Sequence, residues 1–148
     1  MRIDRDVPLI VDAGVLYAQA DINDEHHQAA AELLRNEVEE LVTSELVVAE
    51  ADYLILGRLG IEAELRFLDD LAEGTFVVEC LTRAELDAAR RLVVRYRDVR
   101  LGLADCSLVI LAGRHRTLRI ATFDERHFRP ITGAHGDSFT ILPADRPR

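Results

Sequence analysis

Short apolar runs that stop at turn residues alternate with longer stretches of helical period, and this alternation narrows most what the chain can become. VPLIVD (7–12) is apolar almost throughout and closes on Asp12 before Ala13 and Gly14, the pattern of a strand buried on both faces of a parallel sheet. LVTS (41–44), TFVVEC (75–80), LRIATFD (118–124) and FTIL (139–142) are the further strands. Between them the period lengthens. A short helix is expected after Gly14. A second, capped by Asn23 or Asp24 and running to about Glu40, carries a stripe of Ala29, Ala30, Leu33, Leu34 and Val38. Thr43 or Ser44 caps ELVVAEADYLILGRL (45–59), which Gly57 and Gly60 bring to an end. GIEAELRFLDDLAEG (60–74) is amphipathic, with Ile61, Leu65, Leu68 and Leu71 on one side. Thr82 and Glu85 have capping-box spacing and open a helix to about Arg97 that turns Leu86, Ala89, Leu92, Val93 and Tyr96 inward. LADCSLVILAG (103–113) is the last predicted helix. No linker or repeat interrupts the alternation, so residues 1–148 are read as one three-layer α/β/α domain with a central parallel sheet. Strand order does not follow from the pattern.

Composition limits what such a domain can do. With 49% apolar and 30% charged residues, and apolar runs well short of the ~20 needed to cross a bilayer, the chain reads as a soluble protein without a membrane span. The N-terminus lacks a signal-peptide pattern, and Cys80 and Cys106 lack metal-type spacing, so a cytoplasmic protein with reduced, inert thiols is expected. A net charge of −9 argues against gripping nucleic acid over the whole surface, where phosphate binding is dominated by positive charge, but leaves room for a local site. All 18 basic residues are arginine, which suits bidentate phosphate contacts but is better accounted for by codon bias.

Four carboxylates stand out. Glu50 lies in a helix apolar on nearly every face; buried there, it requires either an arginine partner or a role. Asp105 shares a helical stripe with Leu108, Val109 and Ala112 and points inward, although a first-turn aspartate is also favoured by the helix dipole. Asp12 and Asp124 each end a strand, where ligand sites of α/β sheets form and where aspartates also cap turns. Taken together, acids from four segments converging at one sheet edge are harder to ascribe to separate structural causes. Two carboxylates ~5 Å apart repel by about 3 kcal/mol at an effective dielectric of 20, so a cation is needed among them. An all-oxygen donor set selects Mg²⁺ or Mn²⁺ over zinc. Such ions would let an acidic protein bind phosphate and would activate a water for in-line attack.

LIVDAGVLYA (9–18), VVAEADYLI (47–55), GLADCSLVILA (102–112) and IATFDERHF (120–128), in this order, resemble PIN-domain ribonucleases, specifically the VapC-type toxins of toxin–antitoxin pairs. The resemblance covers essentially the whole chain. It implies a PIN-like fold, Mg²⁺- or Mn²⁺-dependent RNA cleavage, a catalytic and metal-holding quartet matching Asp12, Glu50, Asp105 and Asp124, a homodimer and a cognate antitoxin. The fourth acid of this family is its most variable. Many relatives carry serine or threonine after the first aspartate, where this chain has Ala13. Thr122 is a candidate for the missing hydroxyl, Asp98 for a rim carboxylate, and His127 is the one histidine placed near the site, with zinc ligation disfavoured. His26, His27 and His115 read as exposed.

Other classes fit less well. A haloacid-dehalogenase-like phosphatase needs a second aspartate where Gly14 stands, and a receiver domain needs a lysine, which this chain lacks. The remaining alternatives are a PIN-like module that binds RNA or protein without cleaving, and a housekeeping RNA-processing nuclease.

Overall fold

The computed structural model describes residues 6–147. Its strands are β1 (Leu9–Val11), β2 (Leu41–Ser44), β3 (Val77–Glu79), β4 (Arg119–Ala121) and β5 (Thr140–Leu142). The helices are α1 (Ala13–Ala20), α2 (His27–Asn36), α3 (Glu45–Leu59), α4 (Ile61–Ala72), α5 (Arg83–Arg95), α6 (Leu103–Arg114) and α7 (Glu125–Phe128). The strands form one sheet in the order β3-β2-β1-β4-β5, every neighbouring pair parallel. Leu9, Ile10 and Val11 are all 0% exposed. Successive strand residues point to opposite faces, so both faces of the central strand are covered and the sandwich has the three layers predicted.

The order also creates the place for a site. From β1 the chain steps outward one way through β2 and β3, then returns to the other flank of β1 as β4. A crevice opens at such a reversal, outside the carboxyl ends of the strands. Asp12 follows β1 and Asp124 follows β4, the two strands that flank it.

Helix termini largely follow local chemistry. Ser44 caps α3 by accepting from the Val47 N–H at 3.1 Å, and Thr82 with Glu85 forms the reciprocal capping box of α5. Gly60 ends α3 at φ 91°, a backbone region that side chains resist, whereas Gly57 lies within the helix. α2 starts later than predicted and stops at Asn36; Asp24 spends its carboxylate on the His26 N–H in a turn before the helix, and Val38 is exposed.

Predicted apolar faces were corrected most. α4 buries Ala63 and Phe67, leaving Ile61, Leu65 and Leu68 exposed. In α5 only Ala89 is fully buried, with Leu86 and Val93 turned to solvent and Leu92 and Tyr96 half-buried against the core. α3 buries a narrow line of Val47, Ala51 and Ile55 rather than most of its surface. A three-layer domain of this size has too little sheet to cover every amphipathic helix. Cys80 is exposed and Cys106 buried, so only the second is a packing residue.

Candidate active site

Asp12 is a buried residue of the cleft lining, and the β1–β4 register puts it beside Thr122. The Asp12 N–H donates to the Ala121 carbonyl at 2.9 Å, continuing the ladder by one residue. Its side chain then caps α1, Oδ1 accepting from the Ala13 N–H at 2.7 Å, while Oδ2 accepts from the Thr122 hydroxyl at 2.7 Å. The carboxylate is thus oriented from both sides. Burial pushes its pKa up to about 6 against the hydrogen bond from Thr122, and the charges of Asp105 and Glu50 push the same way as burial.

The other acids reach the cleft from three more elements. Asp105 sits in the first turn of α6, which begins at Gly102 without a side-chain cap. Burial raises its carboxyl above the ordinary range, His127 beside it opposes the rise, and Asp124 adds to it. Glu50 shares the edge of α3 with Leu54, one turn on, and both line the cleft. Desolvation and the Asp105 charge raise its carboxyl. The expectation of a buried Glu50 is corrected, since the residue is exposed and opens onto the cleft. The reason is that only one line of α3 packs inward. No ion pair among the described residues involves Glu50, which removes the structural account of it. Asp124 caps α7, Oδ1 accepting from the His127 N–H at 3.2 Å.

All four acids therefore line one cleft of about 430 Å³, with Ala13, Gly14, Leu54, Phe123, Arg126 and His127. A second, more enclosed hollow of about 310 Å³ near Thr117 and Leu118 holds a single carboxylate, Asp137, and does not meet the quartet.

Thr122 does not face the cleft as a hydroxyl ligand. It is buried, donates to Asp12, and accepts from the Asp124 N–H at 2.9 Å, so one hydroxyl sets two of the four acids. Asp98 is exposed and does not line the cleft. His127 does enter it. Its Nδ1 lies 2.9 Å from Asp105 Oδ2 and 3.0 Å from Asp124 Oδ2, yet makes no hydrogen bond to either because neither oxygen lies along the N–H direction. The imidazole stands as a wedge between the two carboxylates.

Three histidines read as exposed are engaged. His26 stacks on Phe123, His27 Nδ1 lies 2.8 Å from the Ala18 carbonyl, and His115 Nε2 lies 2.8 Å from Glu79 Oε1. The sequence reading placed His127 near the site but missed Arg126 as a cleft residue, because α7 is a single turn of helix following a strand, too short to show a period.

Among the described residues, no three histidine, cysteine or acidic side chains are already drawn together tightly enough to enclose an ion. The donor chemistry nevertheless fits a hard divalent cation. A buried carboxylate whose pKa is pushed up to about 6 by its surroundings and by two further acids is a group that a cation would relieve.

A PIN-domain family model matches residues 9–132, which carry four of the five strands and all four acids of the cleft. The chain belongs to the PIN-domain family. It is 40% identical over 135 residues to Ribonuclease VapC26 of Mycobacterium tuberculosis (strain ATCC 25618 / H37Rv), an alignment covering 91% of this chain and 100% of that protein. The crystal structure of Mycobacterium tuberculosis VapC20, described as a sarcin–ricin loop cleaving toxin, matches with a TM-score of 0.74 at 20% identity, covering 79% of this chain and 90% of that one. At that identity the likeness to VapC20 is one of fold.

Proposed function

We propose that this protein is a divalent-metal-dependent endoribonuclease, the toxin component of a type II toxin–antitoxin system. The observation that carries the proposal is the meeting of Asp12, Glu50, Asp105 and Asp124, from four separate segments, in one cleft at the topological reversal of the sheet. The 40% identity to a ribonuclease across nearly the whole chain supports the same reading.

In this reading the four acids hold Mg²⁺ or Mn²⁺. The bound metal supplies positive charge for the phosphodiester and lowers the pKa of an attacking water. The chain's own groups do the rest. Asp12 is held rigid by the Ala13 N–H and the Thr122 hydroxyl, so it presents its charge without reorganisation. Glu50, open to solvent at the cleft edge, is placed to accept a proton. Arg126 is the guanidinium that lines the cleft and is placed to face a phosphate oxygen.

The homodimer and antitoxin that the resemblance implies belong to this reading. Two exposed apolar stripes supply surface of the kind such partners cover: Tyr53 and Leu56 of α3 with Ile61, Leu65 and Leu68 of α4, and Leu86, Val93 and Val94 of α5.

Asp105→Asn tests the proposal. The variant should fold and lose at least a hundredfold in Mn²⁺-dependent cleavage of RNA. Cleavage at the parent rate would refute the assigned role. An antitoxin reading frame beside the gene separates a toxin from a housekeeping nuclease, and RNA binding by the parent without cleavage would favour a non-catalytic module.

A further inference from the structure

Phe123 lines the acidic cleft immediately before Asp124, and the His26 imidazole stacks on it with ring centroids 4.1 Å apart and planes 11° from parallel. The His26 side chain is 45% exposed. One ring face lies against Phe123, and the Nε2 edge lies 3.4 Å from Glu25 Oε1. The turn carrying His26 does not need the ring to hold it. Asp24 Oδ1 accepts from the His26 N–H at 2.8 Å, the Asp24 carbonyl accepts from the His27 N–H at 3.0 Å, and His27 Nδ1 lies 2.8 Å from the Ala18 carbonyl. The imidazole is therefore presented on a fixed turn, stacked on a residue that lines the cleft, and only partly covered.

We propose that His26 and Phe123 form a stacking platform for an unpaired nucleobase next to the phosphodiester held over the acids; this rests on the ribonuclease reading above. Unstacked RNA bases are held on aromatic faces, histidine included, and such stacking tolerates any base because each has a π-face. A base laid on His26 would extend the existing pair to three layers. It would also anchor the strand on one side of the acids while Arg126 lies in the cleft itself. The platform supplies a ring face rather than a set of base-edge donors, so it fixes where the strand lies and not which base is read. His26 is accordingly a positioning residue.

The test uses a single-stranded oligoribonucleotide carrying the mapped cleavage site, with 2-aminopurine substituted at one position at a time. Bound to the Asp105→Asn protein, one position beside the scissile bond should lose fluorescence through stacking, and His26→Ala in that background should restore it. In the otherwise unmodified enzyme, His26→Ala should raise KM about tenfold with kcat changed less than threefold and Tm unchanged. His26→Tyr should recover most of the loss. A role limited to holding the turn would lower Tm and leave no position-specific quenching. Undiminished affinity in His26→Ala, with no His26-dependent quenching at any position, overturns the platform and leaves the ribonuclease reading standing. Failure of the unmodified protein to cleave any RNA with Mn²⁺ overturns the reading beneath it.

Discussion

At the scale of single residues, Asp12 is the group whose charge is most costly to keep. Its ordinary pKa of 3.8 rises to about 6 in the fold. A carboxyl raised on folding adds stability that is fully present below the unfolded value and is lost as pH climbs through the folded one, so the penalty develops between about pH 4 and 6. A shift of about two units corresponds to about 3 kcal/mol. Without metal, Asp12→Asn is therefore expected to melt higher than the parent at pH 7.5, and scanning calorimetry should find the gap closing near pH 4. Saturating Mn²⁺ should erase or reverse it. Thr122 is the second informative residue, because its hydroxyl donates to Asp12 and accepts from the Asp124 N–H. Thr122→Val keeps the shape and removes both contacts. Loss of such orienting partners typically costs 10–100-fold in metal affinity, which titration calorimetry with Mn²⁺ would measure; an unchanged affinity would mean the hydroxyl does not set the acids.

At the scale of elements, the site depends on how α6 is tied to β2 and α3. Ser44, the last residue of β2 and the cap of α3, lies 2.7 Å from Ser107 of α6, hydroxyl to hydroxyl, both fully buried. This contact joins the element carrying Glu50 to the one carrying Asp105. Ser107→Ala leaves the Ser44 hydroxyl without that partner and should cost about 1–3 kcal/mol. The change should appear as a lower urea midpoint with an unchanged m-value. Capping was readable at this scale from sequence, since Ser44 and the Thr82–Glu85 box act through neighbours a few residues away. Which face of α4 and α5 packs was not. Period identifies an apolar stripe, but the sheet behind a helix decides whether that stripe is covered, and here Leu65, Leu68 and Leu86 are left outside.

For the whole molecule, the net charge of −9 and the acidic cleft act together. Divalent cations that bind only the folded state stabilise it by mass action. Millimolar Mg²⁺ or Mn²⁺ should raise Tm by several degrees, and Asp105→Asn should show a smaller rise. EDTA should return the parent to its starting value. Absence of any shift in the parent would count against a shared cation site. RNA affinity should likewise fall on metal removal far more than for a basic nuclease, because little of the surface field favours phosphate.

The sequence by itself determined the α/β alternation, the five strands and six of the seven helices, and it singled out the four acids Asp12, Glu50, Asp105 and Asp124 that line the cleft, because period and turn chemistry are local and a carboxylate in an apolar stretch is conspicuous. Tertiary structure alone decided the order β3-β2-β1-β4-β5, the hydroxyl of Thr122 as a shared brace, the His127 wedge between Asp105 and Asp124, and the open position of Glu50. Each of these is a contact between segments far apart in the chain, fixed by which strand lies beside which and by how much sheet remains to cover each helix.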